Sequence, residues 1–404
     1  MCFKVFNIFF NFALLSQSIS AQDSTVFFKT NATVINGAER FNEYENILRE
    51  ENVAIVANQS SVINESLHLV DFLLEKDINI LRVFSPEHGF RGKADAGAHI
   101  KDQRDAKTGL KLISLYGKSK KPSYDHLADV NVVVLDLQDV GVRFYTYIST
   151  MHYVMIACAE MKIKVVVLDR PNPNGFYVDG PILEPDFQSF VGMHRVPLVH
   201  GMTIGEYAKM INEEGWLGNG VKCDLTVIPC LNYDHNDYYK LSIKPSPNLP
   251  NSASVFLYPS LALFEGTVVS VGRGTETPFQ IIGHPNLKDG DLEFTPTSRP
   301  GAKSPKLISQ KCTGYHLKSF GESILPVRKQ LYLFWLLNMY KEINSEETPF
   351  FLENGFFDLL AGTDKLRMQI ESGLKEDEIR ESWQEGLVEF KKIRKKYLLY
   401  SDFE

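Results

Sequence analysis

Three short polar stretches, each directly after an apolar run, carry carboxylate side chains. Glu87 and His88 lie in the first stretch, Asp139 in the second and Asp169 in the third. If the runs are strands of one parallel sheet, these stretches share the sheet edge at which α/β proteins bind ligands. Carboxylates at such an edge suit glycoside hydrolysis, in which one acid protonates the departing oxygen and a second group stabilises or attacks the anomeric carbon. We predict that Glu87 transfers the proton, with Asp139 and Asp169 as the other candidate acids.

Basic and aromatic side chains accompany these acids. Arg143 and Arg170 can grip an anionic substituent through a bidentate guanidinium, or they can neutralise nearby aspartates as local ion pairs. Tyr145 can form a platform for a sugar ring or pack in the core. His88 can orient Glu87, bind substrate or serve as a hydrogen-bonded structural histidine. The residues by themselves leave these alternatives open.

Other chemistries lack their usual signatures. Asp136, Asp139 and Asp169 can in principle hold a hard cation, so a metal-dependent hydrolase is the main rival, but no His-Glu-x-x-His spacing occurs. The chain has no Gly-x-Ser-x-Gly elbow and no complete phosphate-binding loop. Gly272 and Gly274 begin like a dinucleotide fingerprint, but a threonine stands where the third glycine belongs. We therefore predict no metal, no nucleotide and no other cofactor.

Composition narrows the class of protein further. The 404 residues are 44% apolar and 23% charged, with a net charge of −7, which excludes a general nucleic-acid binder. Residues 1–21 read as a cleaved secretory leader, with Lys4 ahead of an apolar run and small residues before Ala21. An uncleaved anchor is the competing interpretation. Export without predicted disulfides favours a bacterial periplasm or cell surface.

The elements that position the acids follow an alternating pattern. Short apolar runs predict strands, and runs of helical periodicity lie between them. The alternation predicts a doubly wound parallel sheet with right-handed crossovers. The predicted strands cover residues 53–57, 78–84, 130–137, 163–168 and 221–228.

The second half of the chain has a different pattern. A Pro/Asn-rich stretch at 244–251 marks a domain boundary and can also line a site. After it we predict a helix at 254–264 and a strand at 267–271. An apolar stripe from Ile379 to Tyr397, at steps of three or four residues, predicts one C-terminal helix.

Taken together, these stretches resemble the exo-acting β-N-acetylmuramidases, a bacterial family formerly of unknown function. The likeness covers nearly the whole chain after the leader. The matching segments are FSPEHGFRG (84–92), DLQDVGVRFYTYISTM (136–151), DRPNPNG (169–175), GPILEP (180–185), VHGMTIGEYAKMINEE (199–214), PSPNLPN (245–251) and LFEGTVVSVGRGTETPFQIIGHP (263–285).

The resemblance implies a Rossmann-like domain at 22–245 and a smaller α/β domain at 246–404 that closes a cleft. It implies release of terminal β-linked N-acetylmuramic acid from the non-reducing end of peptidoglycan-derived disaccharides or muropeptides. The family's proposed catalytic glutamate falls on Glu87. A non-catalytic sugar-binding protein that uses the same cleft is the alternative from another class.

The same resemblance gives roles to further residues. N-acetylmuramic acid carries a lactyl carboxylate, for which the candidate partners are Arg143, Arg170, Arg195 and Arg273. Asn172 and Glu276 complete the predicted substrate-binding set, the latter in the 265–276 segment that can close the pocket. The second catalytic group stays open among Asp139, Asp169 and the acetamido oxygen of the substrate.

Overall fold

The structure is a computed structural model that describes residues 33–64, 66–87, 89–91, 103–117 and 119–404. The predicted leader and His88 lie outside the described residues. The strands of the described part are, in chain order, β1 (Val53–Ala57), β2 (Val62–Ile63), β3 (Leu67–His68), β4 (Ile80–Ser85), β5 (Gln103–Arg104), β6 (Lys111–Ser114), β7 (Val132–Asp136), β8 (Lys164–Leu168), β9 (Asp179–Ile182), β10 (Pro197–Val199), β11 (Leu225–Ile228), β12 (Ile281–His284), β13 (Leu292–Phe294) and β14 (Cys312–His316).

Seven of these strands form the central sheet, in the order β11-β8-β7-β1-β4-β6-β5. All neighbours are parallel except β5 and β6. Leaving out β5, the strand order reverses between β1 and β7, which is the doubly wound Rossmann arrangement. The predicted fold class is confirmed, and the five predicted strands overlap β1, β4, β7, β8 and β11.

Alternation along the strands divides the core into two layers. Within β1, Val53 and Ile55 pack into one hydrophobic cluster, and Ala54 and Val56 pack into the other. Every residue of β1 and β7 is buried. Such strands are apolar on both faces because helices cover the parallel sheet on both sides.

The helices lie between and after these strands. In the described residues they are α1 (Phe41–Leu48), α2 (Leu69–Glu75), α3 (Tyr124–Leu127), α4 (Tyr147–Met161), α5 (Ile204–Glu213), α6 (Ser252–Leu261), α7 (Lys318–Ser323), α8 (Leu325–Arg328), α9 (Phe334–Ile343), α10 (Phe356–Ala361), α11 (Lys365–Glu371), α12 (Glu376–Glu381) and α13 (Gln384–Arg394), with short 3₁₀ turns at Gly37–Glu39, Pro185–Phe187 and Ala262–Gly266.

Two local predictions for the second half were wrong. Residues 267–271 are not a strand; Thr267 and Ser270 make only single bridges, to Phe351 and Gly283. The Lys306 ammonium instead bonds four carbonyls of the 264–269 segment. The predicted C-terminal helix is divided into α12 and α13, because the Ser382 hydroxyl bonds the carbonyl of Ile379 and ends α12.

The second half forms a smaller α/β unit around the antiparallel sheet β12-β14-β13. Its helices share one large hydrophobic cluster with the central sheet, including most of the C-terminal apolar stripe. The boundary predicted at 245/246 stays a prediction. No helix among the described residues is long and apolar enough to cross a bilayer.

Candidate active site

Glu87 lies in the turn that follows β4. The strand ends at Ser85, because Pro86 has no N–H to donate to a neighbouring strand. Gly89 then donates its backbone N–H to the carbonyl of Pro86 over 3.2 Å, and its φ of +77° lies in the region that favours glycine. The half-buried Glu87 side chain thereby stands at the carboxyl edge of the sheet.

Two neighbouring hydroxyls hold the Glu87 carboxylate. Thr146, at the start of α4, donates its hydroxyl to Glu87 Oε2 over 3.1 Å. Tyr116, two residues after β6, forms a hydrogen bond with the same carboxylate. Burial raises the pKa of the Tyr116 phenol, and the charge of Glu87 raises it further, so the phenol stays protonated and donates.

A pocket opens beside Glu87 with a volume of about 360 Å³, including the space at its open mouth. In the described part of the chain, Glu87 is the sole carboxylate among the residues that line it. The remainder of the lining consists of Phe144, Tyr145, Thr146, Ser246, Asn248, Leu249, Tyr258, Arg273 and Phe279.

Arg273 supplies positive charge to this pocket. Its guanidinium binds the Glu265 carboxylate through two hydrogen bonds of 2.6 and 2.8 Å and lies 5.0 Å from the Phe279 ring centre. Burial by itself would raise the pKa of Glu265, but Arg273 outweighs it and holds that pKa below its ordinary value. The pair therefore stays ionised, with the guanidinium fixed at the pocket wall.

Asp139 lies close to the pocket but does not line it. Its side chain is 3% exposed, and its Oδ2 accepts the backbone N–H of Gly141 over 2.6 Å. Its Oδ1 has no hydrogen-bond partner in the structure, and His200 Nε2 stands 3.8 Å from Oδ2. Burial raises the pKa of Asp139 to about 7. Such a carboxyl can stay protonated near neutrality.

Asp169 is fully buried and uses both oxygens in the fold. Oδ1 accepts the backbone N–H groups of Arg170 and Gly205 over 3.0 and 2.8 Å. Oδ2 accepts the hydroxyls of Thr203 and Tyr400 over 2.7 and 2.5 Å. Burial raises the pKa of Asp169 to about 6, although the hydrogen bonds from Tyr400, Thr203 and Gly205 favour the carboxylate and partly offset the rise. These contacts join the sheet edge to the start of α5 and to the C-terminal segment. Asp169 is not among the residues that line the pocket.

Arg143 is fully buried and holds carbonyl groups from distant parts of the chain. Its Nη1 donates to the carbonyls of Pro181 and Val196, and its Nη2 to those of Leu360 and Ala361. Burial lowers the pKa of Arg143 to about 10, which leaves it charged at neutral pH. The predicted roles of Arg143 were anion binding or pairing with Asp139. Its contacts with four carbonyl groups match neither role.

Arg170 and Asn172 are likewise buried near the strand ends. Arg170 pairs with Asp136, through hydrogen bonds of 2.5 and 2.9 Å, and not with its neighbour Asp169. Asn172 donates to the carbonyl of Met202 over 2.9 Å. A Cβ at Gly141 would lie 2.3 Å from the Asn172 amide, so the loop packs tightly there. Neither Arg170 nor Asn172 lines the pocket.

Of the remaining predicted residues, some line the pocket and others do not. Tyr145 and Arg273 line the pocket beside Glu87, and the Tyr145 hydroxyl donates to the carbonyl of Pro245 over 2.9 Å. Glu276 is 84% exposed and faces Arg299, 3.6 Å away. Arg195 is exposed in a second cleft, beside Glu184 and Trp383.

Sequence reasoning missed several residues that line the pocket or bond Glu87. Thr146 lies within the 136–151 segment, but the sequence does not distinguish this threonine from its neighbours as a site residue. Tyr258 looks like a core residue of α6. Tyr116 carried one usable signal: residues 110–115 contain apolar residues that form β6, and a residue just past that strand shares the edge with Glu87.

In the described residues there is no cluster of three or more His, Cys, Asp or Glu side chains arranged to hold a metal ion. Two of the three acids that were candidates for a hard cation are committed to other contacts. Asp136 pairs with Arg170, and Asp169 accepts four hydrogen bonds.

Comparison with known proteins connects the chain to a described family. Residues 53–253 match the family model for the N-terminal part of the exo-β-N-acetylmuramidase NamZ, and residues 256–400 match the model for its C-terminal part. A peptidoglycan β-N-acetylmuramidase NamZ of Bacillus subtilis (strain 168) is 40% identical over 377 residues, which cover 89% of each chain.

Two solved structures from Bacteroides fragilis NCTC 9343 share the fold, and both are described as DUF1343 family proteins. The first is 46% identical with a TM-score of 0.84, covering 92% of this chain and 100% of its own. The second is 28% identical with a TM-score of 0.75, covering 91% and 99%.

Proposed function

The chain belongs to the exo-β-N-acetylmuramidase family, and from that premise we propose that it is a glycoside hydrolase acting on peptidoglycan fragments. It releases terminal β-linked N-acetylmuramic acid from the non-reducing end, with Glu87 as the proton-transfer residue. One observation carries the assignment of Glu87: among the described residues that line the pocket, it is the single carboxylate.

The contacts of Glu87 suit proton transfer to and from a glycosidic oxygen. Thr146 and Tyr116 donate to the carboxylate and fix its direction, and four of the ten residues that line the pocket beside it are aromatic. In the proposed reaction Glu87 gives its proton to the departing oxygen as the bond to the anomeric carbon breaks. The resulting carboxylate then takes a proton from the attacking water.

Arg273 is the proposed partner of the lactyl carboxylate. It lines the pocket, and its bonds to Glu265 use two of the five guanidinium N–H groups. The other three arginine candidates lie elsewhere: Arg143 binds four carbonyls, Arg170 pairs with Asp136, and Arg195 is exposed in the second cleft.

The contacts of Asp139 and Asp169 favour a second catalytic group that belongs to the substrate and not to the protein. Asp169 has both oxygens in hydrogen bonds, and Asp139 is buried outside the pocket lining. An attacking carboxylate must reach the anomeric carbon directly. We therefore propose that the acetamido oxygen of N-acetylmuramic acid assists departure of the leaving group.

The test is direct measurement of product. The purified protein is incubated with a disaccharide of N-acetylmuramic acid β-linked to N-acetylglucosamine, and free N-acetylmuramic acid is followed by mass spectrometry. We expect release both before and after exhaustive chelation. Binding without release would indicate a sugar-binding protein, and loss on chelation with recovery on adding a divalent cation would indicate a metal-dependent hydrolase.

The cellular setting is also a proposal. The apolar N-terminal segment supports export to the periplasm or cell surface, where peptidoglycan fragments arise and can be salvaged. Sequencing the N-terminus of the mature protein tests this, with a start at Gln22 as the expected result. A mature chain that retains Met1 would contradict cleavage.

A further inference from the structure

Three aromatic rings lie together, and one of them, Tyr116, forms a hydrogen bond with Glu87. Tyr116 follows β6, Tyr153 lies on α4, and Phe190 is at the tip of a tight turn closed by reciprocal backbone hydrogen bonds of Ser189 and Gly192. The ring centroids of Tyr116 and Phe190 are 6.2 Å apart, as are those of Tyr153 and Phe190, and the latter pair is stacked with an interplanar angle of 22°. We call these three residues the aromatic patch.

The patch is not part of the hydrophobic core. All three side chains are half-buried. None belongs to, or packs against, either of the two hydrophobic clusters found in the described part of the chain. Exposed large aromatics grouped in this way indicate a contact surface for a ligand.

The turn that carries Phe190 is held in place. Ser149 of α4 donates its hydroxyl to the carbonyl of Phe190 over 2.7 Å. The next residue, Val191, packs against the large hydrophobic cluster, which anchors the turn from below. Phe190 is therefore presented by a fixed turn although its ring is half-exposed.

The patch and the pocket are both joined to the Glu87 carboxylate by a hydrogen bond. Thr146 lines the pocket and donates to Glu87, whereas Tyr116 bonds the same carboxylate but does not line the pocket. A proton donor for glycoside cleavage must stand between the sugar that is released and the group that departs. If the released sugar fills the pocket, the departing group lies on the Tyr116 side.

We propose that the aromatic patch is the binding site for the leaving-group sugar, the 2-acetamido sugar that follows the terminal N-acetylmuramic acid. Its apolar ring face lies against Phe190 and Tyr116. Lys120 lies beside the patch, with its ammonium 4.2 Å from the Phe190 ring centre. This inference rests on the proposed function, because it needs a released sugar in the pocket.

The test compares two substrates that share the released sugar. One is the disaccharide with N-acetylglucosamine as leaving group, and the other is methyl β-N-acetylmuraminide, whose leaving group is too small to reach the patch. The quantity measured is the ratio of kcat/KM for the disaccharide to kcat/KM for the methyl glycoside. We expect Phe190→Ala to lower this ratio about tenfold, mainly through a higher KM for the disaccharide.

Control variants separate binding from folding. Phe190→Tyr keeps a ring and should retain most of the ratio, and Phe334→Ala, which removes a phenylalanine that is 46% exposed on α9, should retain all of it. Equal losses on both substrates in Phe190→Ala would mean that the ring only supports the fold, and an unchanged ratio would mean that no sugar lies there. Either result overturns the proposal. A wild-type protein that hydrolyses neither substrate would instead overturn the proposed function.

Discussion

At the level of single residues, burial separates acids that look equivalent in the sequence. The Glu87 side chain borders the pocket, whereas Asp139 is 3% exposed and Asp169 is fully buried. Among the described residues, one Asp139 oxygen has no hydrogen-bond partner, and no cationic side chain offsets the cost of burying its charge. Folding therefore favours its protonated form.

This preference predicts a pH dependence of stability. Burial raises the folded-state pKa of Asp139 to about 7, above the value of about 3.9 in an unfolded chain. The stabilisation by the protonated carboxyl is therefore fully present below about pH 4 and is lost as the pH rises towards 7. Asp139→Asn does not titrate, so we expect the variant to gain on the order of 3 kcal/mol relative to wild type between these pH values.

Urea denaturation of both proteins at several pH values measures this difference. All other titrating groups are shared, so they largely cancel in the comparison. A difference in the free energy of unfolding that stays constant from pH 4 to pH 7 would show that the Asp139 carboxyl is ionised in the folded protein throughout.

The sequence predicted which residue types lie at the sheet edge. It did not predict how deeply each side chain is buried. The burial of a side chain depends on hydrogen-bond partners from remote segments. One hydroxyl that donates to Asp169 belongs to Tyr400, 231 residues later in the chain. The carbonyls that hold Arg143 come from β9, from beside β10, and from α10. No local pattern around residues 139–170 contains that information.

At the level of elements, α10 shows how closely the second half packs against Arg143. The helix lies between two glycines, Gly355 with φ +66° and Gly362 with φ +76°. A Cβ at Gly362 would stand 2.4 Å from Arg143 Nη2, whereas a Cβ at Gly355 would have nothing within 4 Å. The two positions share their backbone conformation and differ in their surroundings.

These glycines form a matched pair for mutation. Gly355→Ala carries only the backbone cost of a left-handed residue, about 1 kcal/mol. Gly362→Ala adds a clash with a buried guanidinium that cannot leave its four carbonyls, so we expect about 3 kcal/mol. Urea unfolding measures both losses, and equal losses would show that Arg143 can move aside at little cost.

Element prediction succeeded where a run was long and apolar on both faces, as in β1, β7 and β8. It failed for β6, because only Leu112 and Ile113 are apolar within four residues. That omission hid Tyr116, which contributes to the site. At 267–271 the apolar pattern was correct, but the half-buried Lys306 ammonium binds two carbonyls that a strand would use, those of Thr267 and Val269.

At the level of the whole molecule, both halves of the chain build the pocket. The first half contributes Glu87, Tyr145 and Thr146, and the second contributes Asn248, Tyr258 and Arg273 among others. The larger of the two hydrophobic clusters contains residues from Ala54 to Tyr397, and residues 33–404 form one compact unit. A convergence of strand ends at one edge could be predicted from the sequence, but the contribution of α6 and of the loop around Arg273 required the fold.

The most direct test of the account is the Glu87→Gln variant assayed on a chromogenic β-N-acetylmuraminide. The amide oxygen can still accept from Thr146, so the unfolding temperature should match wild type, while kcat/KM should fall about 10³-fold because the amide cannot exchange the proton. Glu353→Gln, a substitution at an exposed glutamate, should keep full activity. Near-normal turnover by a folded Glu87→Gln variant would contradict the assignment of Glu87 as the proton-transfer residue.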